Sequence, residues 1–341
     1  MKTKIVCTIG PSTESEEMIE KLASAGMNIA RINCSHNSPA KTRDAILRLK
    51  KVREAKGLDF EIMLDTKGPD VRIGTFENGK VELKAGGSFI LTTDECIGNE
   101  SKVFVNCPLL PQKVSPGQVI LLNDGLIKVV VTAIKGNSIV TQVEQGGVLS
   151  SKKTMFAPGC NLGLPFISVA DELDLLAGLD AGIDSVAASF VGSRKDLLDL
   201  KAFMRANGGE VPIISKIESS GGIENLAEIL DECAGVMVAR GDLGVEYPIE
   251  QIPVLQKKVI NAANKAGKFV IVATEMMESM ITKPRPTRAE TTDVANAVWD
   301  GANAVMLSAE SATGAFPVET VTYMKKIAQI AEDNKNVRFG E

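Results

Sequence analysis

The chain has 341 residues, 44% of them hydrophobic and 24% charged, with 38 Lys and Arg against 43 Asp and Glu, and a net charge of −5. That balance excludes broad attraction to nucleic acid or anionic lipid, so phosphate chemistry would have to rest on locally placed basic groups, with small molecules as partners. Mean hydropathy near zero and the lack of a long uncharged apolar stretch argue against membrane insertion and for a soluble chain with an ample core.

In chain order, short apolar runs recur at 4–10, 27–33, 61–67, 185–191, 212–218, 235–242, 269–276 and 304–310, and nearly every one breaks off in a charged or hydroxylated cluster. Runs such as Val236-Met237-Val238-Ala239 and Val270-Ile271-Val272-Ala273 lack helical periodicity and read as strands buried on both faces. Intervening segments such as 253–266 and 289–300 carry apolar residues at helical spacing. Alternation of this kind predicts an α/β chain folded as a (β/α)8 barrel, whose catalytic groups sit where the strands end.

The 341 residues exceed the roughly 250 of a plain barrel, and the surplus lies between the third and fourth runs. There, runs at 88–93, 102–106, 118–122, 127–134 and 139–144 are separated by Asn78-Gly79, Gly86-Gly87, Pro116-Gly117, Asp124-Gly125, Gly136-Asn137 and Gly146-Gly147, which is hairpin punctuation. The predicted organisation is a discontinuous barrel over 1–69 and 157–341 with a small inserted β-barrel lid over 70–156. Lys67-Gly68-Pro69 and Pro158-Gly159 would be its hinges.

Six scattered cysteines (Cys7, Cys34, Cys96, Cys107, Cys160 and Cys233) form no C-x-x-C pair and follow no secretory signal. Neither zinc site nor disulfide framework is indicated, and a reducing, cytoplasmic setting with mostly buried structural thiols is expected. His36 is the single histidine, which excludes histidine-rich metal sites. The P-loop, dinucleotide-binding and hydrolase-elbow signatures are all missing.

Lys216 and Glu218 close the fifth run, and Gly241 and Asp242 the sixth. Strand residues two apart share a side, so Lys216 and Glu218 can meet in one site. Together with Asp242 they suit Mg²⁺, which takes one or two protein oxygens and completes its shell with water and substrate. A structural ion pair in a barrel mouth fits the same spacing. Thr274 and Ser308 place hydroxyls at the ends of the seventh and eighth runs, to move protons or to cap helices. Asn33, Ser35, Asp65 and Thr66 form an oxygen-rich group beside Arg31, Lys67 and Arg72, as cation binding and phosphoryl transfer would need, or as a polar strand-end network would supply.

The strings Lys4-Ile-Val-Cys-Thr-Ile-Gly-Pro-Ser, Ala25-Gly-Met-Asn-Ile-Ala-Arg-Ile-Asn, Leu64-Asp-Thr-Lys-Gly-Pro, Met237-Val-Ala-Arg-Gly-Asp-Leu-Gly-Val-Glu and Pro286-Thr-Arg-Ala-Glu, followed by Asp293-Val-Ala-Asn-Ala-Val, closely resemble the pyruvate kinase family. The resemblance spans essentially the whole chain, including the insert, which matches that family's mobile B domain. It implies transfer of a phosphoryl group from phosphoenolpyruvate to ADP, giving pyruvate and ATP, with Mg²⁺ or Mn²⁺ and K⁺ as cofactors. On matching positions Glu218 and Asp242 would hold the divalent ion, Lys216 would stabilise the phosphoryl group, and Arg31 would help hold the phosphate. Backbone N–H groups of Gly241 and Asp242 would take the substrate carboxylate, and Thr274 and Ser308 would serve the proton path. Asn33, Ser35, Asp65 and Thr66 match the potassium site, while His36, Arg72, Asn33 and Ser189 fall at nucleotide- or phosphate-binding positions.

Some positions depart from the family pattern. Glu275 stands for a glutamine, Gly192 for an arginine, Ala170 for a lysine and Cys34 for a phenylalanine, and Ser219-Ser220-Gly221 alters a loop. Asp70 keeps the negative sign of potassium-dependent members, which predicts potassium dependence. The family's C-terminal domain is not reached, so its sugar-phosphate effector site is expected to be missing; a homo-oligomer through barrel faces stays open. Two rivals remain: a non-catalytic binding relative, and a metal-dependent lyase of pyruvate or oxaloacetate.

Overall fold

The computed structural model describes residues 1–69 (the His36 side chain excepted), 71–160 and 162–334. It divides into two compact units. The first comprises Met1–Gly68, Phe166–Leu243 and Gln251 onward; the second comprises Pro69–Pro165 with Gly244–Glu250, so it runs on past 156 and takes in a segment that the sequence places in the barrel.

The first unit is a closed barrel of eight parallel strands: Lys4–Thr8, Ile29–Asn33, Glu61–Asp65, Ser185–Ala188, Ile213–Ile217, Gly235–Ala239, Phe269–Ala273 and Ala304–Leu307. The first strand closes the ring by pairing with both the second and the eighth. Strands such as Ile213–Ile217 and Gly235–Ala239 are buried along their whole length. Their inner face fills the barrel and their outer face meets helices, which is why they read as unbroken apolar runs. The helices expected over 253–266 and 289–300 are Ile252–Lys265 and Arg288–Asp300. The latter starts with a capping box in which Thr287 and Glu290 satisfy each other's backbone N–H groups.

Four strands end three residues before the expected runs do. The fourth ends at Ala188, ahead of Phe190 at φ +54°, and the seventh ends at Ala273, ahead of Thr274 at φ +68° and Glu275 at φ +53°. The sixth and eighth give way to the helices Arg240–Glu246 and Ala309–Ala312, so Gly241 and Asp242 lie in a first helical turn rather than at a strand tip.

The second unit holds a six-stranded sheet ordered Met155–Phe156, Val119–Leu122, Ile127–Lys135, Ser138–Gln145, Ser88–Thr92 and Lys102–Phe104, and a ribbon of Lys80–Leu83 with Gly147–Ser150. Phe76, Phe89, Leu91, Ile120 and Val129 form its core. Where the sequence predicts a small β-barrel, the segment 71–74 meets both edges of the six-stranded ladder: the Met155 N–H donates to the Val71 carbonyl and the Ile73 N–H to the Lys153 carbonyl on one side, and the Gly74 N–H to the Phe104 carbonyl and the Asn106 N–H to the Arg72 carbonyl on the other. Gly146-Gly147, expected as a turn, brings two strands together instead. A Cβ on Gly146 would lie 2.2 Å from the Leu83 carbonyl oxygen.

Candidate active site

The period of two along a strand builds the site. Val6, Ile29, Met63, Ala187, Ile214 and Met306 belong to one apolar layer inside the barrel. The residues two further along are Thr8, Arg31, Asp65, Ser189, Lys216 and Ser308. A side chain pointing inward at one position sends the next but one inward as well, higher up the ring. Six strands therefore deliver polar groups to the C-terminal rim directly above an apolar plug.

Asp65 is the hub of these groups. Its Oδ2 accepts from Arg31 Nε at 2.6 Å, and its Oδ1 accepts from Lys216 Nζ at 3.0 Å. Arg31 Nη1 also donates to Thr8 Oγ1 at 2.9 Å, and Lys216 Nζ donates to Ser189 Oγ at 2.7 Å. Ser189 Oγ in turn donates to the Thr66 carbonyl at 2.7 Å, while the Ser189 N–H donates to Thr66 Oγ1 at 3.0 Å. Burial pushes the Asp65 carboxyl up, but the charges of Arg31 and Lys216 outweigh it and hold Asp65 below the usual carboxylate range. For Lys216 burial favours the neutral amine; Asp65 and Glu218 more than offset it and raise the ammonium above its ordinary value.

Glu218 is the discordant member. Burial and the negative charge of Asp242 push its carboxyl up to about 7, although Lys216 pulls the other way. Its Oε2 accepts from the Phe190 N–H at 2.7 Å. Its Oε1 is paired with Lys216 Nζ at 2.9 Å. A buried carboxylate oxygen that only one ammonium serves, near a second carboxylate, is chemically suited to a hard divalent cation. Among the described residues no group of three or more His, Cys, Asp or Glu is placed to hold a metal ion by itself.

Thr274 Oγ1 accepts from the Gly241 N–H at 2.8 Å and donates to the Ala273 carbonyl at 2.6 Å. It therefore touches the very backbone group that the resemblance gives to the substrate carboxylate. Ser308 precedes the helix Ala309–Ala312, but its side chain makes no cap hydrogen bond, so the capping alternative fails for it.

Asn33 and Asp65 are Cα partners on adjacent strands. The Asn33 side chain accepts from the Ser35 N–H at 3.0 Å, at the start of the short helix Cys34–His36. The His36 side chain and Asp70 lie outside the described residues. Arg72 belongs to the second unit, where its N–H donates to Asn106 and its Nη1 to the Lys152 carbonyl at 3.0 Å. Of the departing positions, Glu275 and Ala170 are exposed, and a Cβ on Gly192 would meet only Asp196 Oδ2, at 3.7 Å. All six cysteines are free, and burial raises the Cys7 and Cys34 thiols well above their ordinary value.

Sequence reasoning assigned Asp65 to a cation and missed that it joins Arg31 to Lys216. The two-residue step from Met63 was the signal for Asp65. Gly68 is another hidden requirement. It sits at φ +71°, and a Cβ there would come within 2.9 Å of both the Phe190 ring and Ser189 Cβ. Gly68→Ala is expected to cost about 1–3 kcal/mol in urea denaturation.

A family model described as "Pyruvate kinase, barrel domain" matches residues 1–321. The pyruvate kinase of Clostridium perfringens is 43% identical over 340 residues, covering 99% of this chain and 72% of that protein. That of Bacillus licheniformis is 46% identical over 341 residues, covering 98% of this chain and 58% of that protein. The crystal structure of a pyruvate kinase from Cryptosporidium parvum superposes with a TM-score of 0.93 at 41% identity, over 98% of this chain and 70% of that one. This chain thus spans between 58% and 72% of the length of these relatives. Among the described residues no helix is long and apolar enough to cross a membrane. A match of that extent, on a closed barrel whose rim carries the residues described above, shows that the chain belongs to the pyruvate kinase family, a family of phosphotransferase enzymes.

Proposed function

We propose that this chain transfers the phosphoryl group of phosphoenolpyruvate to ADP. The observation that carries the reading is the buried Lys216 ammonium at the barrel rim, paired with Asp65 at 3.0 Å and Glu218 at 2.9 Å. In the reaction the bond from phosphorus to the enol oxygen breaks, an oxygen of the ADP β-phosphate takes the phosphoryl group, and the enolate carbon gains a proton.

Lys216 and Arg31 would face the phosphoryl group, where preorganised positive charge stabilises the charge that spreads over its oxygens. Asp65 orients both and sets their spacing. The N–H groups of Gly241 and Asp242 would hold the substrate carboxylate, which would place it beside the Thr274 hydroxyl that the Gly241 N–H meets. Thr274 and Ser308 would line the path by which the proton reaches the enolate carbon. Glu218 and Asp242 would hold Mg²⁺ or Mn²⁺, which when bound supplies positive charge to phosphate and enolate oxygens. Asn33, Ser35, Asp65 and Thr66, an oxygen-only set, would hold K⁺, with Ser189, His36, Arg72 and Asn33 at the nucleotide and phosphate positions.

A lactate-dehydrogenase-coupled assay with phosphoenolpyruvate, ADP, Mg²⁺ and K⁺ tests the reading. Turnover stimulated by K⁺ is expected; none above a Lys216→Met background would overturn it.

The raised carboxyl of Glu218 gives a pH prediction. Its folded pKa, about 7, lies above the ordinary 4.5, so between those values the folded chain holds a proton that the unfolded chain has released. This group's contribution to stability therefore declines as pH rises through that window. Cation binding needs the carboxylate, so Mn²⁺ affinity measured by calorimetry is expected to weaken about tenfold per unit as pH falls below about 7. A Mn²⁺ affinity independent of pH between about 5 and 8 would contradict the assignment of Glu218.

A further inference from the structure

Thr274 and Glu275 form two consecutive left-handed residues, at φ +68° and +53°, and neither is a glycine. A β-branched residue is a poor occupant of this region, and each such residue costs about 1–3 kcal/mol unless its surroundings impose the conformation. The imposing groups are visible on both sides of the turn. On one side the Arg240 guanidinium donates through Nε to the carbonyls of Ala273 and Thr274, both at 3.2 Å, and through Nη2 to the Thr274 carbonyl at 2.5 Å and to Met276 Sδ at 3.0 Å. Its Nη1 is fixed by both carboxylate oxygens of Asp293, at 2.9 and 2.8 Å.

On the other side the fully buried Glu310 accepts from the Met277 N–H at 3.1 Å through Oε1 and from the Ser308 N–H at 2.7 Å through Oε2. A cation thus holds the carbonyls entering the turn, and an anion holds the amide leaving it together with the amide of Ser308. Arg240 also directly precedes Gly241, whose N–H meets Thr274 Oγ1.

We infer that Arg240, oriented by Asp293, and Glu310 are positioning residues for the proton-delivering rim. Their task is to hold the strained Thr274–Glu275 turn so that the Thr274 hydroxyl stands beside the Gly241 N–H and the Ser308 backbone stays in register with it. Neither residue touches substrate. The inference rests on the proposed phosphoryl-transfer reading for its kinetic consequence, and on geometry alone for its structural one.

The test is a double-mutant cycle on the full chain with Arg240→Lys and Glu275→Gly. Lysine keeps the charge but lacks the planar fork needed to hold two carbonyls and Asp293 at once. Glycine at 275 adopts φ +53° without a Cβ penalty and so reduces the need for a brace. Arg240→Lys is expected to lower kcat about 10²-fold, as a displacement near 1 Å does, while KM for phosphoenolpyruvate changes less than about threefold. Adding Glu275→Gly to it should recover about tenfold, a coupling that a merely fold-supporting arginine would not show.

Asp293→Asn retains the Arg240 side chain but weakens its anchor, serves if Arg240→Lys does not fold, and is expected to lose about tenfold with the same rescue. Wild-type kcat in Arg240→Lys, or an equal loss whatever occupies position 275, would overturn the inference. Because the same cycle can be read by urea midpoint, it remains decisive without turnover. Non-additive midpoints support the brace and additive ones sink it, whereas an inactive wild type would count against the proposed reaction alone.

Discussion

Replacing Lys216 by methionine is expected to lower kcat by about 10³-fold or more while leaving the chain folded. The size follows from where the ammonium sits. It lies buried, 3.0 Å from Asp65, 2.9 Å from Glu218 and 2.7 Å from Ser189 Oγ, so water cannot substitute for its charge when phosphoryl oxygens approach. Methionine keeps the volume of the side chain and leaves Glu218 with only the Phe190 N–H. The Glu218 carboxyl should then rise further and bind a proton near neutrality, which predicts weakened Mn²⁺ binding by calorimetry in the same variant. Unchanged turnover would remove Lys216 from the chemistry.

The largest effect on stability is expected at Asp65. Asp65→Ala leaves two buried cations, Arg31 and Lys216, without their shared anion. Breaking a buried ion pair from one side costs about 3–5 kcal/mol, because the surviving charge stays desolvated. Urea denaturation should show that loss at neutral pH and a smaller one in acid. The Asp65 carboxyl is held below its ordinary 3.8, so its stabilisation is complete above that value and fades as pH falls through the lower folded value. A difference between wild type and variant that grows as pH falls below the ordinary carboxyl value would contradict the ion-pair account.

The fold was legible because parallel strands sealed on both faces cannot be written with polar residues except at their ends. Val236–Ala239 and Val270–Ala273 announced themselves for that reason, and the inserted unit did so through its turn dipeptides. Its ribbon strands Lys80–Leu83 and Gly147–Ser150 escaped notice, since an exposed four-residue strand has little apolar alternation and Gly146-Gly147 imitates a turn. The ends of the seventh and fourth strands were drawn too long because backbone sign at Thr274, Glu275 and Phe190 is not encoded by residue types that favour it.

For the site, spacing within one strand placed Lys216 with Glu218, and it would have placed Asp65 with Arg31 had the inward register been carried around the ring. What spacing could not express was contact across strands. Whether Lys216 faces Asp65 or solvent depends on the stagger between the third, fourth and fifth strands. The roles of Arg240 and Glu310 depend on main-chain atoms common to every residue. Glu275, which stands for the family's glutamine, is exposed, and its unusual property is its backbone conformation.

Phosphorus NMR of one sample tests the central claim most directly. The chain is mixed with phosphoenolpyruvate, ADP, Mg²⁺ and K⁺, and compared with Lys216→Met in parallel. The account predicts that the phosphoenolpyruvate resonance is replaced by those of ATP, at a rate that depends on the divalent cation and is lost in the variant. Phosphoenolpyruvate that persists unchanged, or that turns into inorganic phosphate without formation of ATP, would contradict it.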